Sequence, residues 1–233
     1  MKGKLIAIEG IDGSGKATQT RLLMKHLMSI NIPVTKIDFP QHGEISAGLV
    51  DEYLNGRYGR SKDVNPRVAS IFYACDRFSA SFGIKDNLNK GIWVLCDRYI
   101  GSNIGHQGGK FNSKSERKKY IEWLFDLEYG IFKIPNTDIN FILKTDARAS
   151  GQRTLALTDE EKINRKKAYL GDKKQDIHER DLKHLEDARQ SYLDAAELFP
   201  KEFTVIECMQ GDKMLSPKAI HDKIWEIIEK KFL

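Results

Sequence analysis

Residues 4 to 18 read KLIAIEGIDGSGKAT, and this run decides more about the fold than any other stretch of the chain. A short apolar segment, Leu5 to Ile8, leads into Gly10, four residues, and then Gly15-Lys16. That order predicts a strand, a glycine-rich loop and a helix. It meets the phosphate-binding P-loop pattern at every position but the last, where Ala17 stands in place of Ser or Thr. Gly10, Gly13 and Gly15 allow backbone conformations closed to residues with a Cβ. The loop N–H groups can then turn inward as an anion nest, backed by the positive end of the helix. Lys16 adds a mobile point charge for the outer phosphates. The helix behind the loop is amphipathic, with Leu22, Leu23, Leu27 and Ile30 as its apolar positions.

Further apolar, β-branched runs predict strands at Leu5–Glu9, Val34–Phe39, Trp93–Asp97, Ile139–Leu143 and Thr204–Glu207. Helical patterns lie between them, near 15–29, 45–55, 66–89, 116–129, 176–198 and 217–231. Asn65-Pro66 supplies a cap and a first-turn proline for the third. Alternation of this kind predicts an α/β fold: a parallel sheet of five strands covered on both faces. Ligands then sit beyond the C-terminal strand ends. The stretch 147–175 is polar and strongly charged, so it is expected to stay out of the core and act as a mobile lid.

Three other constellations can carry chemistry. Asp97-Arg98-Tyr99 ends the third strand; Asp97 can hold Mg²⁺, and Arg98 can grip a second phosphate with two parallel bonds. Tyr73 and Arg77 are four apart on one helix face and could stack on a nucleobase and bond its carbonyl. From the pattern alone, Phe72 and Tyr73 as core with a solvated Arg77 is the stronger reading of that helix. Phe39-Pro40-Gln41-His42-Gly43 follows the second strand, where proline fixes the chain's exit and Gln41 or His42 can meet an acceptor phosphate; alone it is a turn.

The chain has 233 residues with 38 basic and 33 acidic, a net charge of +5. That mild excess suits anionic small molecules, and no concentrated basic stripe or aromatic platform points to nucleic acid. Cys75, Cys96 and Cys208 are scattered without zinc spacing, which suggests reduced thiols and a cytoplasmic setting. No apolar run approaches the roughly 18–20 residues that span a bilayer, and the N-terminal run is too short for a signal peptide. The chain therefore reads as a soluble protein with no membrane partner.

Taken together and in this order, EGIDGSGKATQT at 9–20, FPQHG at 39–43, YACDR at 73–77, DRYIGSN at 97–103 and DIHERD at 176–181 resemble the thymidylate kinase family of P-loop nucleoside monophosphate kinases. ISAGLVDEYLNG at 45–56 is similar to that family's helix after the Phe-Pro turn. The resemblance covers nearly the whole chain. It implies one domain over 1–233, a three-layer α/β/α P-loop fold with a helical lid at about 147–175. It also implies transfer of the γ-phosphoryl of ATP to dTMP with Mg²⁺, within dTTP biosynthesis, by a homodimer.

By the same resemblance, Gly10, Ile11, Asp12, Gly13, Ser14, Gly15, Lys16, Ala17 and Thr18 hold ATP. Asp12, Lys16, Arg98 and Arg153 are the catalytic set, and Asp12 and Asp97 the metal set. The acceptor is met by Asp12, Phe39, Pro40, His42 and Tyr73, and by Arg77, Arg98, Ser102 and Asn103. His106 beside the ribose and Glu179 after the lid complete that set. Asn103 is expected at the base N3, with Ser102 facing the base edge.

The chain departs from the family pattern at named positions. Ala17 offers no hydroxyl to a metal, and Thr18 points about 100° away around the helix. Gly13 stands where some relatives carry arginine, so the lid is expected to supply the missing cation: Arg153 first, Arg165 next, then Lys173 or Lys174. His42 and His106 replace a cation or phenol and an aromatic residue. Three alternatives stay open: a kinase for another deoxynucleotide or deoxynucleoside, a non-catalytic nucleotide-binding regulatory module, and a nucleic-acid-binding ATPase. A guanine-reading Asn-Lys-x-Asp motif, which a GTP switch would carry, is absent from the sequence.

Overall fold

The computed structural model describes residues 2–156 and 182–233. Five parallel strands form one sheet: β1 (Leu5–Glu9), β2 (Val34–Asp38), β3 (Trp93–Asp97), β4 (Ile139–Lys144) and β5 (Phe203–Glu207), in the spatial order β2-β3-β1-β4-β5. Each predicted strand is present, with ends shifted by no more than one residue. Because β1 lies between β3 and β4, the loops after β1 and β3 open side by side, with Ile8 opposite Asp97 in the register. That reversal point is where ligands bind in open parallel sheets.

The two sheet faces carry separate cores. Ile6 and Ile8 pack with Leu23 and Leu27 of α1 (Lys16–Ser29) and with Ile220, Ile224 and Ile228 of the C-terminal helix. Leu5 and Ala7 point the other way, into a cluster with Ile84, Ile104, Tyr120, Leu124 and Tyr192. This alternation follows from the two-residue period of a strand. The helices of the second face are α3 (Pro66–Asn89), α4 (Ile100–His106), α5 (Lys114–Phe125) and α7 (Leu182–Leu198). A smaller cluster, Val50, Tyr53, Leu54 and Ala69, joins α2 (Gly48–Leu54) to α3. The last helix is α8 (Pro217–Phe232), and β6 (Met209–Gln210) and β7 (Lys213–Met214) make a small hairpin before it.

Three features depart from expectation. The segment near 45–55 divides into a 3₁₀ turn, Ile45–Ala47, and α2. The helix expected at 116–129 starts earlier, at Lys114, because Ser113 and Glu116 form a capping box. It ends in a π-helical turn, Asp126–Ile131. The charged stretch 147–175, expected to stay out of the core, enters it by its first turn. There α6 (Ala147–Ala156) buries Ala147 and Ser150, and Asp146 Oδ1 caps it by accepting from the Arg148 and Ala149 N–H groups.

Candidate active site

The loop between β1 and α1 has the backbone that its glycines permit. Gly10, Gly13 and Gly15 have φ of 140°, 79° and 97°. A Cβ on Gly10 would lie 2.8 Å from Ser14 Oγ and 3.0 Å from the Leu143 carbonyl oxygen, so the close approach itself excludes a larger residue. Ser14 Oγ is buried and has no hydrogen-bond partner among the described residues, an opening for a ligand oxygen. Lys16 Nζ donates to the carbonyls of Gly10 (3.0 Å) and Ile11 (2.9 Å) and lies 3.9 Å from Asp12. Burial, and then the facing Arg98, lower its pKa to about 8. Ala17 is exposed and Thr18 half-buried, in line with the turn between them.

Arg98 is the pivot of the site. It has φ of 72°, a left-handed conformation uncommon for a residue with a Cβ, and its N–H donates to the Ile8 carbonyl at 3.0 Å. Strain of this kind persists where surrounding contacts enforce it. Its Nη2 donates to Asp12, and Nη1 reaches the Gly10 carbonyl (3.3 Å), Ser102 Oγ (3.2 Å) and His106 Nε2 (3.2 Å). Burial acts against the guanidinium charge, but Asp12 and further groups outweigh it and raise the pKa. Asp12 therefore stands between two cations, Lys16 at the start of α1 and Arg98 just after β3. Asp97, partly buried beside them, has its carboxyl raised by burial despite Lys16 and Arg98.

Glu9, not singled out in the sequence, organises this end of the sheet. It is fully buried and accepts from the Tyr99 N–H (2.6 Å) and Ser102 Oγ (2.8 Å). It thereby fixes the start of α4. Burial raises its pKa, with Ser102 and Arg98 acting the other way. Tyr192 of α7 brings its hydroxyl to within 3.5 Å of the Gly10 carbonyl. The only sequence signal for Glu9 was an acid closing an otherwise apolar strand. Ser102, expected at the base edge, instead has its hydroxyl on Glu9 and Arg98, beside the glycine loop. His106 is buried, and its Nδ1 lies 3.2 Å from His184 Nε2 on α7. Arg98 can only donate, so Nε2 accepts from it as in a neutral ring; burial and then Arg98 likewise hold the pKa well below the ordinary value.

The remaining residues expected at the acceptor lie on α3, in the turn after β2 and on α4. Phe39 and Pro40 are joined by a cis peptide bond, and Phe39 packs on Tyr99. The Gln41 N–H and side-chain amide donate to Asp76 at 2.8 and 3.0 Å, and Ser46 Oγ donates to the same carboxylate at 2.7 Å. Asp76 thus ties the Phe-Pro turn to α3. His42 has its Nδ1 2.5 Å from Asp51 of α2. Tyr73 is half-buried, its ring edge-on to Tyr53 at 6.3 Å. Arg77 corrects the pattern reading of a solvated arginine. It is 1% exposed and forms two 2.6 Å bonds to Glu128, which is 0% exposed. Asn103 is buried, with Nδ2 donating to the Ser70 carbonyl at 3.1 Å. Arg153 falls on α6 by its backbone, while Arg165, Lys173, Lys174 and Glu179 lie outside the described residues.

A glycine loop between a central strand and helix, facing a strand-end arginine across a topological reversal, defines a P-loop phosphotransferase that brings two phosphate groups together. A sequence model of the family described as Thymidylate kinase matches residues 8–216, and the chain belongs to that family. It is 29% identical over 153 residues to the thymidylate kinase of Plasmodium falciparum (isolate 3D7), spanning 66% of this chain and 67% of that protein. A solved thymidylate kinase from Candida albicans shares the fold with a TM-score of 0.66 at 24% identity, over 98% of this chain and 92% of that one. The enzyme transfers the γ-phosphoryl group of ATP to dTMP, giving dTDP and ADP.

Proposed function

We propose that residues 10–18 cradle the ATP phosphates, that Lys16 binds the outer ones, and that Arg98 binds the dTMP phosphate. The observation that carries this reading is the Lys16–Asp12–Arg98 bridge. It joins a cation from the loop after β1 to one from the loop after β3 through a single carboxylate. Both cations here lean on protein oxygens, which anionic phosphates would replace. Transfer then needs positioning and charge stabilisation and no covalent intermediate. Asp12 acts at the acceptor sugar hydroxyl and holds Lys16 and Arg98 on either side of it. Neutral His106 accepts from Arg98 without adding charge. The lid, with Arg153 leading, supplies the further cation and excludes water, and Glu179 reaches the sugar from the segment after it.

Mg²⁺ fits the donor set. Among the described residues no cluster of three metal-binding side chains exists. What stands at the site is two carboxylates, Asp12 and Asp97, which suits an ion that is held by one or two carboxylates plus substrate phosphates. Held by Asp12 and Asp97, it would neutralise charge on the donor phosphates. On the acceptor side, Tyr73 stacks on thymine between the walls set by Phe39 and Pro40, while Arg77 meets O4 and Asn103 meets N3. His42 contributes beside them from the Phe-Pro turn.

The dTDP product stands one phosphorylation short of dTTP, which places the enzyme in dTTP biosynthesis. No helix among the described residues is long and apolar enough to cross a membrane; we read the enzyme as cytoplasmic. It acts as a homodimer through the outer face of α3, where Val68, Ile71, Phe78 and Phe82 are exposed at helical spacing. A coupled ADP-release assay with ATP, Mg²⁺ and dTMP, dUMP, dCMP, dGMP or UMP tests the assignment. Turnover highest on dTMP is expected; an Arg98→Ala variant with an unchanged KM for dTMP would overturn the role of Arg98.

A further inference from the structure

Glu128 lies in the π-helical turn Asp126–Ile131, is fully buried, and has no part in the phosphate machinery. Its Oε2 accepts from Arg77 Nε and its Oε1 from Arg77 Nη2, both at 2.6 Å; Oε1 also faces Asn103 Nδ2 at 3.5 Å. The two residues brought together by this one carboxylate are those that meet the base in the reading above, and the inference rests on that reading. A π-helical turn shifts the helix register locally, and such turns recur at functional sites.

We propose that Glu128 is a positioning residue that sets the hydrogen-bond polarity of the base pocket. Arg77 donates through Nε and one Nη2 hydrogen to Glu128, and through Nη1 to the Tyr99 carbonyl at 3.4 Å. A guanidinium has only donors, and these contacts fix which of them remain: one hydrogen on each terminal nitrogen. Asn103 Nδ2 faces two acceptors, Glu128 and the Ser70 carbonyl. Its amide orientation is thereby fixed, and the group left over is Oδ1, an acceptor. A donor beside an acceptor matches a ring carbonyl beside a ring N–H. That is the O4/N3–H edge of a 4-oxopyrimidine. A 4-aminopyrimidine presents the opposite order, an amino donor beside a bare ring nitrogen, and mismatches both residues. Buried groups left unpaired in this way make rejection steep. Glu128 also neutralises Arg77, so the base is met by a directed donor and not by an uncompensated charge.

The test is steady-state kinetics of Glu128→Gln and Glu128→Asp with dTMP and dCMP at saturating ATP, and of ATP at saturating dTMP. Glutamine has one acceptor oxygen in place of two, and its amide nitrogen confronts an Arg77 N–H in either orientation, and Asn103 Nδ2 as well in one of them. The expected result is a rise in KM for dTMP and a fall of about tenfold or more in the dTMP-to-dCMP ratio of kcat/KM. The KM for ATP stays within about twofold. Glu128→Asp keeps the charge but is one methylene short, and should show a smaller fall in the same ratio. A merely structural role would lower the amount of folded enzyme and both substrates' rates together. An unchanged ratio in either folded variant overturns the proposal. If the unmodified enzyme itself fails to prefer dTMP to dCMP, the assignment of Arg77 and Asn103 to the base falls first, before any variant is made.

Discussion

At Arg98, backbone and side chain serve different ends. The left-handed φ turns the chain from β3 into α4, and the guanidinium spreads over Asp12, Gly10, Ser102 and His106. Lysine would keep the charge and lose that fork. Arg98→Lys is expected to lower kcat/KM for dTMP by roughly 10²-fold, the scale of removing one transition-state donor, with the KM for ATP little changed in a two-substrate kinetic matrix. Lys110 tests a separate balance. Its Nζ donates to Tyr53 Oη (3.0 Å) and the Ser61 carbonyl (2.6 Å), and burial lowers its pKa to about 8. Between pH 8 and the unfolded value near 10.5, the unfolded chain holds a proton that the folded one has lost. Stability contributed here therefore rises with pH, by up to ~1.4 kcal/mol per pH unit. Urea melts from pH 7.5 to 10 should show that Lys110→Met removes this share of the slope. Residues carrying a motif were legible in the sequence: Lys16, Asp97 and Arg98 stand where the spacing puts them. Glu9, Asp76 and Glu128 were not, because a buried carboxylate is recognised by its partners, and those lie 90, 35 and 51 positions away.

The same contrast holds for elements. Strands β1 and β3 and the start of α3 could be read to the residue, because apolar runs, Gly and the Asn-Pro cap are local signals. Helix α4, Ile100–His106, was missed: seven residues with two glycines show little helical periodicity. Those glycines exist for tertiary contact. A Cβ on Gly101 would lie 2.8 Å from the Glu9 carboxyl carbon, and one on Gly105 only 2.1 Å from the Tyr192 ring. The closeness of α4 to α7 is therefore set by the missing side chain at Gly105. Gly105→Ala should force Tyr192 outward and lower stability by about 3 kcal/mol, the upper range for overpacking, measured by denaturant unfolding. The hydroxyl of Tyr192 reaches the Gly10 carbonyl, so the surviving folded enzyme should also show a raised KM for ATP. Equal stability of variant and parent would show that α7 can shift freely.

On the scale of the molecule, α3 has two opposed faces. One carries Tyr73, Asp76 and Arg77, where the acceptor site is proposed; the other exposes Val68, Ile71, Cys75, Phe78 and Phe82 at intervals of three and four. From Val68 to Gly83 no exposed position bears a charge, the charge depletion that marks the centre of an interface. A second copy packed there would be isologous, with the stripe meeting itself. Burying each large apolar side chain is worth about 1.5–3 kcal/mol, so charging two of them should weaken dimerisation by roughly 10²–10⁴-fold. If the proposed dimer forms, Ile71→Glu with Phe78→Glu is expected to sediment as a folded monomer at concentrations where the unmodified enzyme sediments as the dimer. Because Tyr73 and Arg77 share the helix with the stripe, losing the partner should loosen the acceptor site and raise the KM for dTMP. The P-loop, seated on β1 and α1 away from α3, should keep its KM for ATP. An unmodified enzyme that sediments as a monomer would instead assign the apolar face to some other covering and leave each acceptor site self-sufficient.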